Sequence, residues 1–277
     1  MKALLEKLRP YAAALALCAA TTASLAADKL PVMASFSILA DLVRVVGGER
    51  VVVTTLVEPD KDAHVFEPKP LDAKNMLQTR LLVINGLGFE PWAQKLVKAS
   101  GYKGQTVVAS QGITARTLHA DKSHTHAETD PHAWQDPTHV VVYVRNIATA
   151  LSRLDPAGAS SYQSNGDAYI KELQTLDAWA KAQIAALPTD KRKVITSHDA
   201  FGYLAAHYQL RFLAPQGVST EAEPSAKEVA QLAKDAGVTM GPSLYADALS
   251  GPDKPGSTYL KMMRHNVTQL VTGMRKN

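Results

Sequence analysis

Apolar and polar positions along this chain fall into two rhythms. Residues 30–36 (LPVMASF) and 51–57 (VVVTTLV) are short runs dense in β-branched and apolar side chains, which predict strands. Residues 81–85 and 106–109 repeat that pattern, and the continuous run at 51–57 predicts a buried strand. Between them lie helical spacings: 38–46, closed by Gly47-Gly48, then 71–78 and 92–98. Strands alternating with helices at this spacing predict parallel βαβ units.

Asp136-Pro137 predicts an N-cap followed by proline at the first helical position, with the helix running to about Leu154. Residues 156–187 keep a helical pattern over an unusual length. Their apolar positions are Tyr162, Tyr169, Leu173, Leu176, Trp179 and Ile184. This predicts a rigid connector between two lobes. Beyond it, strands are expected at 193–196, 210–213 and 239–245, and helices at 200–208, 225–236 and 259–274. The expected class is α/β: two α/β lobes with parallel sheets joined by one long rigid helix. The first lobe spans 27–155, the connecting helix 156–187 and the second lobe 188–277.

Residues 1–26 stand outside that core. A basic start (Lys2, Lys7, Arg9), a short apolar run and Ser24-Leu25-Ala26 read as a cleavable signal peptide, cut after Ala26 or Ala27. The apolar run is too short for a permanent membrane anchor. Leu17 before the single cysteine, Cys18, departs from the small residue a lipoprotein signal wants. The expected location is therefore the periplasm. Lys2, Lys7, Arg9 and Glu6 leave with the signal, so the formal charge falls from +4 to +2 and the basic balance argues no nucleic-acid partner. A mature chain without Cys18 has no thiol, so a metal site must use His, Asp or Glu.

Four such residues share one kind of position. His64 follows the second strand, His132 sits between two prolines before a helix, His198 ends a strand, and Asp247 lies just past one. Open α/β sheets bind ligands outside the carboxyl ends of their strands. Three imidazoles and one carboxylate suit a divalent first-row metal. The spacing by itself is not diagnostic, because the four are spread over most of the chain.

Motifs around these residues narrow the reading. Asp62-Ala63-His64-Val65-Phe66-Glu67-Pro68, Asp130 to Pro137 (DPHAWQDP), His198 to Tyr203 (HDAFGY) and Tyr245 to Ser250 (YADALS) occur in that order. Together they resemble the zinc/manganese-type solute-binding proteins of bacterial ABC importers, the ZnuA-like or TroA-like group. The resemblance covers nearly all of the chain beyond the signal. It implies two α/β lobes joined by one long helix, a metal in the cleft, and ligands at His64, His132, His198 and Asp247. It also implies partners: an ABC permease and its ATPase subunit in the inner membrane, with the binding protein itself monomeric.

Two departures stand out. Ala63 replaces the family's proline before the first ligand. One helix–strand unit is absent between Pro224 and Tyr245, so the second lobe is shortened and the placement of Asp247 comes into question.

The three-nitrogen, one-carboxylate set favours Zn²⁺, with Mn²⁺ or Fe²⁺ as the alternative. His119, His124 and His126 suit either weak zinc capture or a plain solvated loop. A zinc hydrolase competes as a reading, but no H-E-x-x-H occurs. A metal-stabilised adhesin competes too, and the lipobox departure counts against it. No G-x-x-x-x-G-K-[ST] occurs, so the ATPase must be another chain.

Overall fold

The computed structural model describes residues 28–117, 129–197, 199–213, 231, 234, 241 and 243–276. The proposed signal segment, the histidines 119, 124 and 126, His198 and most of 214–240 lie outside the described residues.

β1 (Leu30–Phe36) pairs in parallel with β2 (Val51–Val57) on one side and β3 (Leu81–Ile84) on the other. β4 (Gln105–Val108) extends the sheet beyond β3, giving the order β2-β1-β3-β4. After β2 the chain must cross over β1, so the order reverses between β1 and β3. That reversal opens a crevice at the carboxyl ends of the two strands. The crossovers carry α1 (Ser37–Gly47), α2 (Pro70–Met76) and α3 (Pro91–Ser100). α1 ends where Gly48 takes φ +53°, a conformation that costs glycine little.

The structure corrects one strand. β2 was expected to be buried, yet it is the sheet's edge, and Val52 is 51% exposed. A continuous β-branched run fits an interior strand and a half-covered edge equally well, so pattern cannot separate them.

α4 (Pro137–Leu154) begins as its sequence dictates. Asp136 is the N-cap, its Oδ1 accepts from the Thr138 N–H at 2.8 Å, and Pro137 occupies N1. A short 3₁₀ turn at Pro156–Gly158 leads into α5 (Ala159–Ala185), 27 residues long and so about 40 Å end to end. Its buried stripe includes Tyr162, Tyr169, Leu173, Leu176 and Ile184. Trp179 is only partly buried and instead stacks under the Arg264 guanidinium, 5.0 Å from the ring centroid.

In the second lobe β5 (Lys193–Ile195) and β6 (Arg211–Leu213) pair in parallel across α6 (Gly202–Tyr208). Gln231 and Lys234 are helical, within the helix expected at 225–236. The strand expected at 239–245 is not seen at its described positions, 241 and 243–245. Among the described residues the second sheet therefore has two strands. Residues 243–245 instead lie on α7 (Tyr259–Met274): Asn266 accepts from the Tyr245 N–H at 2.9 Å and donates to its carbonyl at 2.7 Å. Asn266 satisfies both backbone groups, so no ladder partner is needed there. No described helix is long and apolar enough to cross a membrane.

Leu173 is fully buried at the middle of α5. Leu173→Ala is expected to cost about 2–5 kcal/mol of stability. Urea unfolding followed by circular dichroism measures it, and a loss below about 1 kcal/mol contradicts a packed connector.

Candidate metal centre

His132 is held before any ligand arrives. It is fully buried on the loop between Pro131 and the 3₁₀ turn Ala133–Gln135. Asp130 Oδ1 accepts from the His132 backbone N–H at 3.0 Å and lies 2.9 Å from Nδ1. A proton on Nδ1 then leaves Nε2 as the nitrogen that faces His64 and Asp247. The loop is fastened from below, where the Asn85 amide donates to the Pro131 carbonyl at 2.9 Å. Asn85 caps β3, so the crevice at the sheet's order reversal carries this loop directly.

His64 is built the same way on the loop after β2. Asp62 Oδ1 accepts from the His64 N–H at 2.8 Å, the same Asp-x-His turn as at Asp130 and His132. The preceding Ala63 carbonyl accepts from Trp92 Nε1 at 2.9 Å. That bond fixes the backbone at the position where the family's proline is replaced. The His64 ring stands edge-on to Phe89, centroids 4.6 Å apart. Phe36, Phe89 and Trp134 form one aromatic floor, with centroids 4.7–5.1 Å apart.

Asp247 reaches this floor from the far end of the chain. His64 Nε2 and His132 Nε2 lie 3.3 Å apart. Asp247 Oδ1 is 3.3 Å from His132 Nε2, and Oδ2 is 4.0 Å from His64 Nε2. Ligand atoms from the three residues all fall within 4.8 Å of one another. Metal–nitrogen bonds of about 2.0–2.1 Å at tetrahedral angles put neighbouring donors about 3.3 Å apart. The two imidazoles and the carboxylate therefore fit the corners of one small coordination sphere. Three of the four residues expected from the sequence meet; the fourth, His198, lies outside the described residues.

Electrostatics reflect a crowded, dry site. Burial by itself would lower the His132 pKa. The Asp247 carboxylate, then Asp130, outweigh it and push the value up to about 9. At neutral pH the imidazole thus holds a proton that a cation must displace. Arg116 balances Asp130 from behind, with Nε 3.5 Å from Oδ2. Arg116 is itself held by second-lobe groups: its N–H donates to Tyr203 Oη at 2.9 Å, and its guanidinium donates to the Gly202 carbonyl. Glu90, buried near the crevice, is pushed up to about 7 by burial. Hydrogen bonds from Ser35 and the backbone N–H groups of Asn85 and Gly86 oppose that rise.

Sequence reasoning named the candidate ligands but not Asp130, Arg116, Asn85 or Gln135 around them. Asp130 was legible as the first residue of an Asp-x-His turn, a signal repeated at Asp62. Arg116, Asn85 and Gln135 carried no local signal.

A His/His/Asp triangle at the carboxyl ends of a parallel sheet, in a chain with one 27-residue helix, defines a metal-binding α/β protein. The family described as "Zinc-uptake complex component A periplasmic" (ZnuA) matches residues 32–239, and this chain belongs to it. The metal ABC transporter substrate-binding lipoprotein SloC of Streptococcus mutans is 28% identical over 94% of this chain and 95% of its own. The iron-binding protein YfeA of Yersinia pestis is 29% identical over 89% of this chain and 87% of its own. The solved structure of a Mn-bound periplasmic metal binding protein from Candidatus Liberibacter asiaticus superposes with a TM-score of 0.79, at 28% identity. It matches 89% of this chain and all of that one. The chain is thus a metal-binding substrate-binding component of an ABC importer, a solute-binding protein and not an enzyme.

Three outcomes follow from the site's charge. Asp247→Asn removes the carboxylate that raises His132, so the His132 pKa in the metal-free protein is expected to fall well below about 9 in NMR titration. A raised pKa also stabilises the metal-free fold at low pH. That contribution is complete below about 6.5 and disappears as pH rises through about 9 in the wild type. Asp130→Ala is expected to weaken divalent-metal binding roughly 10–100-fold by calorimetry, the usual cost of losing a partner behind a ligand.

Proposed function

We propose that this protein captures Zn²⁺ in the periplasm and delivers it to the permease of an ABC importer. The ligands are His64, His132 and Asp247, with His198 as the fourth. The observation that carries this reading is the 3.3 Å spacing between the two Nε2 atoms and between His132 Nε2 and Asp247 Oδ1. Imidazole-rich, small, tetrahedral donor sets suit zinc better than the oxygen-rich, six-coordinate sets preferred by manganese. The zinc-uptake description of the family agrees with this choice.

A second reading is Mn²⁺ or Fe²⁺ in the same site. It is favoured by the iron-binding name of YfeA and by the Mn-bound relative. Donor chemistry weighs toward zinc, because among the described residues one carboxylate joins two imidazoles.

The remaining parts of the reading follow from the same role. Residues 1–26 direct export and are removed. The mature chain works as a monomer, with residues 27–155 as one lobe, 156–187 as connector and 188–277 as the other lobe. It docks on a separate permease, whose ATPase subunit supplies the energy. The stiff helix limits closure to a small movement.

Native mass spectrometry of the mature protein with equal Zn²⁺ and Mn²⁺ tests the reading. One retained zinc, absent in His132→Ala, is expected. Equal metal content in both proteins overturns the site, and retention of manganese alone moves the cargo to the second reading.

A further inference from the structure

By chain order, Asp247 belongs to the second lobe. The hydrogen bonds of the residues beside it reach elsewhere. The Ala246 carbonyl accepts from Trp134 Nε1 at 2.9 Å and from Gln135 Nε2 at 2.7 Å. Two residues past Asp247, the Leu249 N–H donates to Ser37 Oγ at 2.9 Å, and the Leu249 carbonyl accepts from the Asp60 N–H at 2.8 Å. The Asp60 carboxylate then takes the Gly251 N–H at 3.2 Å and Lys254 Nζ at 2.9 Å. Every one of those anchors, Ser37, Asp60, Trp134 and Gln135, lies in residues 27–155.

Further along, Asp41 accepts from the Tyr259 N–H at 2.8 Å, and Tyr259 Oη donates to the Trp134 carbonyl at 2.7 Å. Ala246 before Asp247 and Leu249 after it are therefore fastened to the first lobe, while Tyr245 is held by Asn266 on α7.

Gln135 shows that this fastening has a cost. The residue is fully buried. Its acceptor is a carbonyl, so the amide must present its nitrogen there. The amide oxygen is left without a hydrogen-bond partner among the described residues. A buried unpaired oxygen is unfavourable, and an apolar side chain would avoid it. The amide's gain is the grip on the peptide next to Asp247.

We propose that Trp134 and Gln135 are positioning residues for Asp247, so that His64, His132 and Asp247 form one preassembled three-ligand set on the first lobe. This rests on reading the site as a metal centre. The loop that supplies His132 also places the carboxylate. A shortened second sheet then leaves Asp247 in position, because the described strands of that sheet, β5 and β6, do not carry it.

A double-mutant cycle tests this with Zn²⁺ alone as probe, its affinity read by competition with a chromophoric chelator. Gln135→Glu keeps the shape and removes the donor. It is expected to weaken Zn²⁺ binding about 10–100-fold. Asp247→Ala is expected to weaken it at least as much, and the double variant no further than Asp247→Ala alone. Additive losses in the double variant overturn the positioning role, as does Gln135→Glu binding like wild type while Asp247→Ala is weak. Wild type failing to bind Zn²⁺, or Asp247→Ala binding like wild type, overturns the metal-site reading instead. If circular dichroism shows Gln135→Glu unfolded, Ser37→Ala carries the same expectations through the Leu249 N–H.

Discussion

The site depends on one buried carboxylate. Asp130 is fully enclosed, and an enclosed charge is tolerated only when it is paired and hydrogen-bonded. Its partners come from three places: the His132 ring and N–H, the Arg116 guanidinium, and through its carbonyl the Tyr203 hydroxyl at 3.0 Å. Each bond fixes something different. The ring bond selects the nitrogen that faces the crevice. Arg116 and Tyr203 tie the loop to α6. Without Asp130, a buried imidazole would have no fixed tautomer and the half-buried Arg116 no counter-charge.

That arrangement leaves the site rich in negative charge and short of room. Asp130 and Asp247 both act on His132, which answers by holding a proton at neutral pH. The proton stands where a cation would bind. Metal capture is therefore an exchange of one positive charge for another, and acidity competes directly with loading. The aromatic floor of Phe36, Phe89 and Trp134 keeps one side of the triangle dry, which strengthens each of these charge effects.

Much of the first lobe was legible from the sequence. β1 and β2 occupy the spans that the hydrophobic pattern sets, as does α7 in the second lobe, and Asp136-Pro137 opens α4 as its chemistry requires. Local rules suffice there, because capping and periodicity act within one or two turns. The pattern went wrong at β2, whose edge position depends on which strands pair, and at residues 243–245. At those residues Asn266 on α7 takes the hydrogen bonds that a strand partner would have made. The resemblance named His64, His132 and Asp247 because their motifs are local; Gln135 and Arg116 escaped because their partners are distant.

The sequence by itself determined the donor chemistry: imidazoles and a carboxylate, no thiol beyond Cys18, and stiff proline-bounded loops to hold them. It also determined the order of strands and helices along the chain. Only the tertiary structure brought the peptide beside Asp247 onto Trp134 and Gln135. Those bonds join Ala246 to residues 111 and 112 positions earlier, and no local pattern encodes a contact across that distance. Side-chain type is written residue by residue, whereas the spacing of three donors around one point exists only after the sheet, the loops and α7 have packed together.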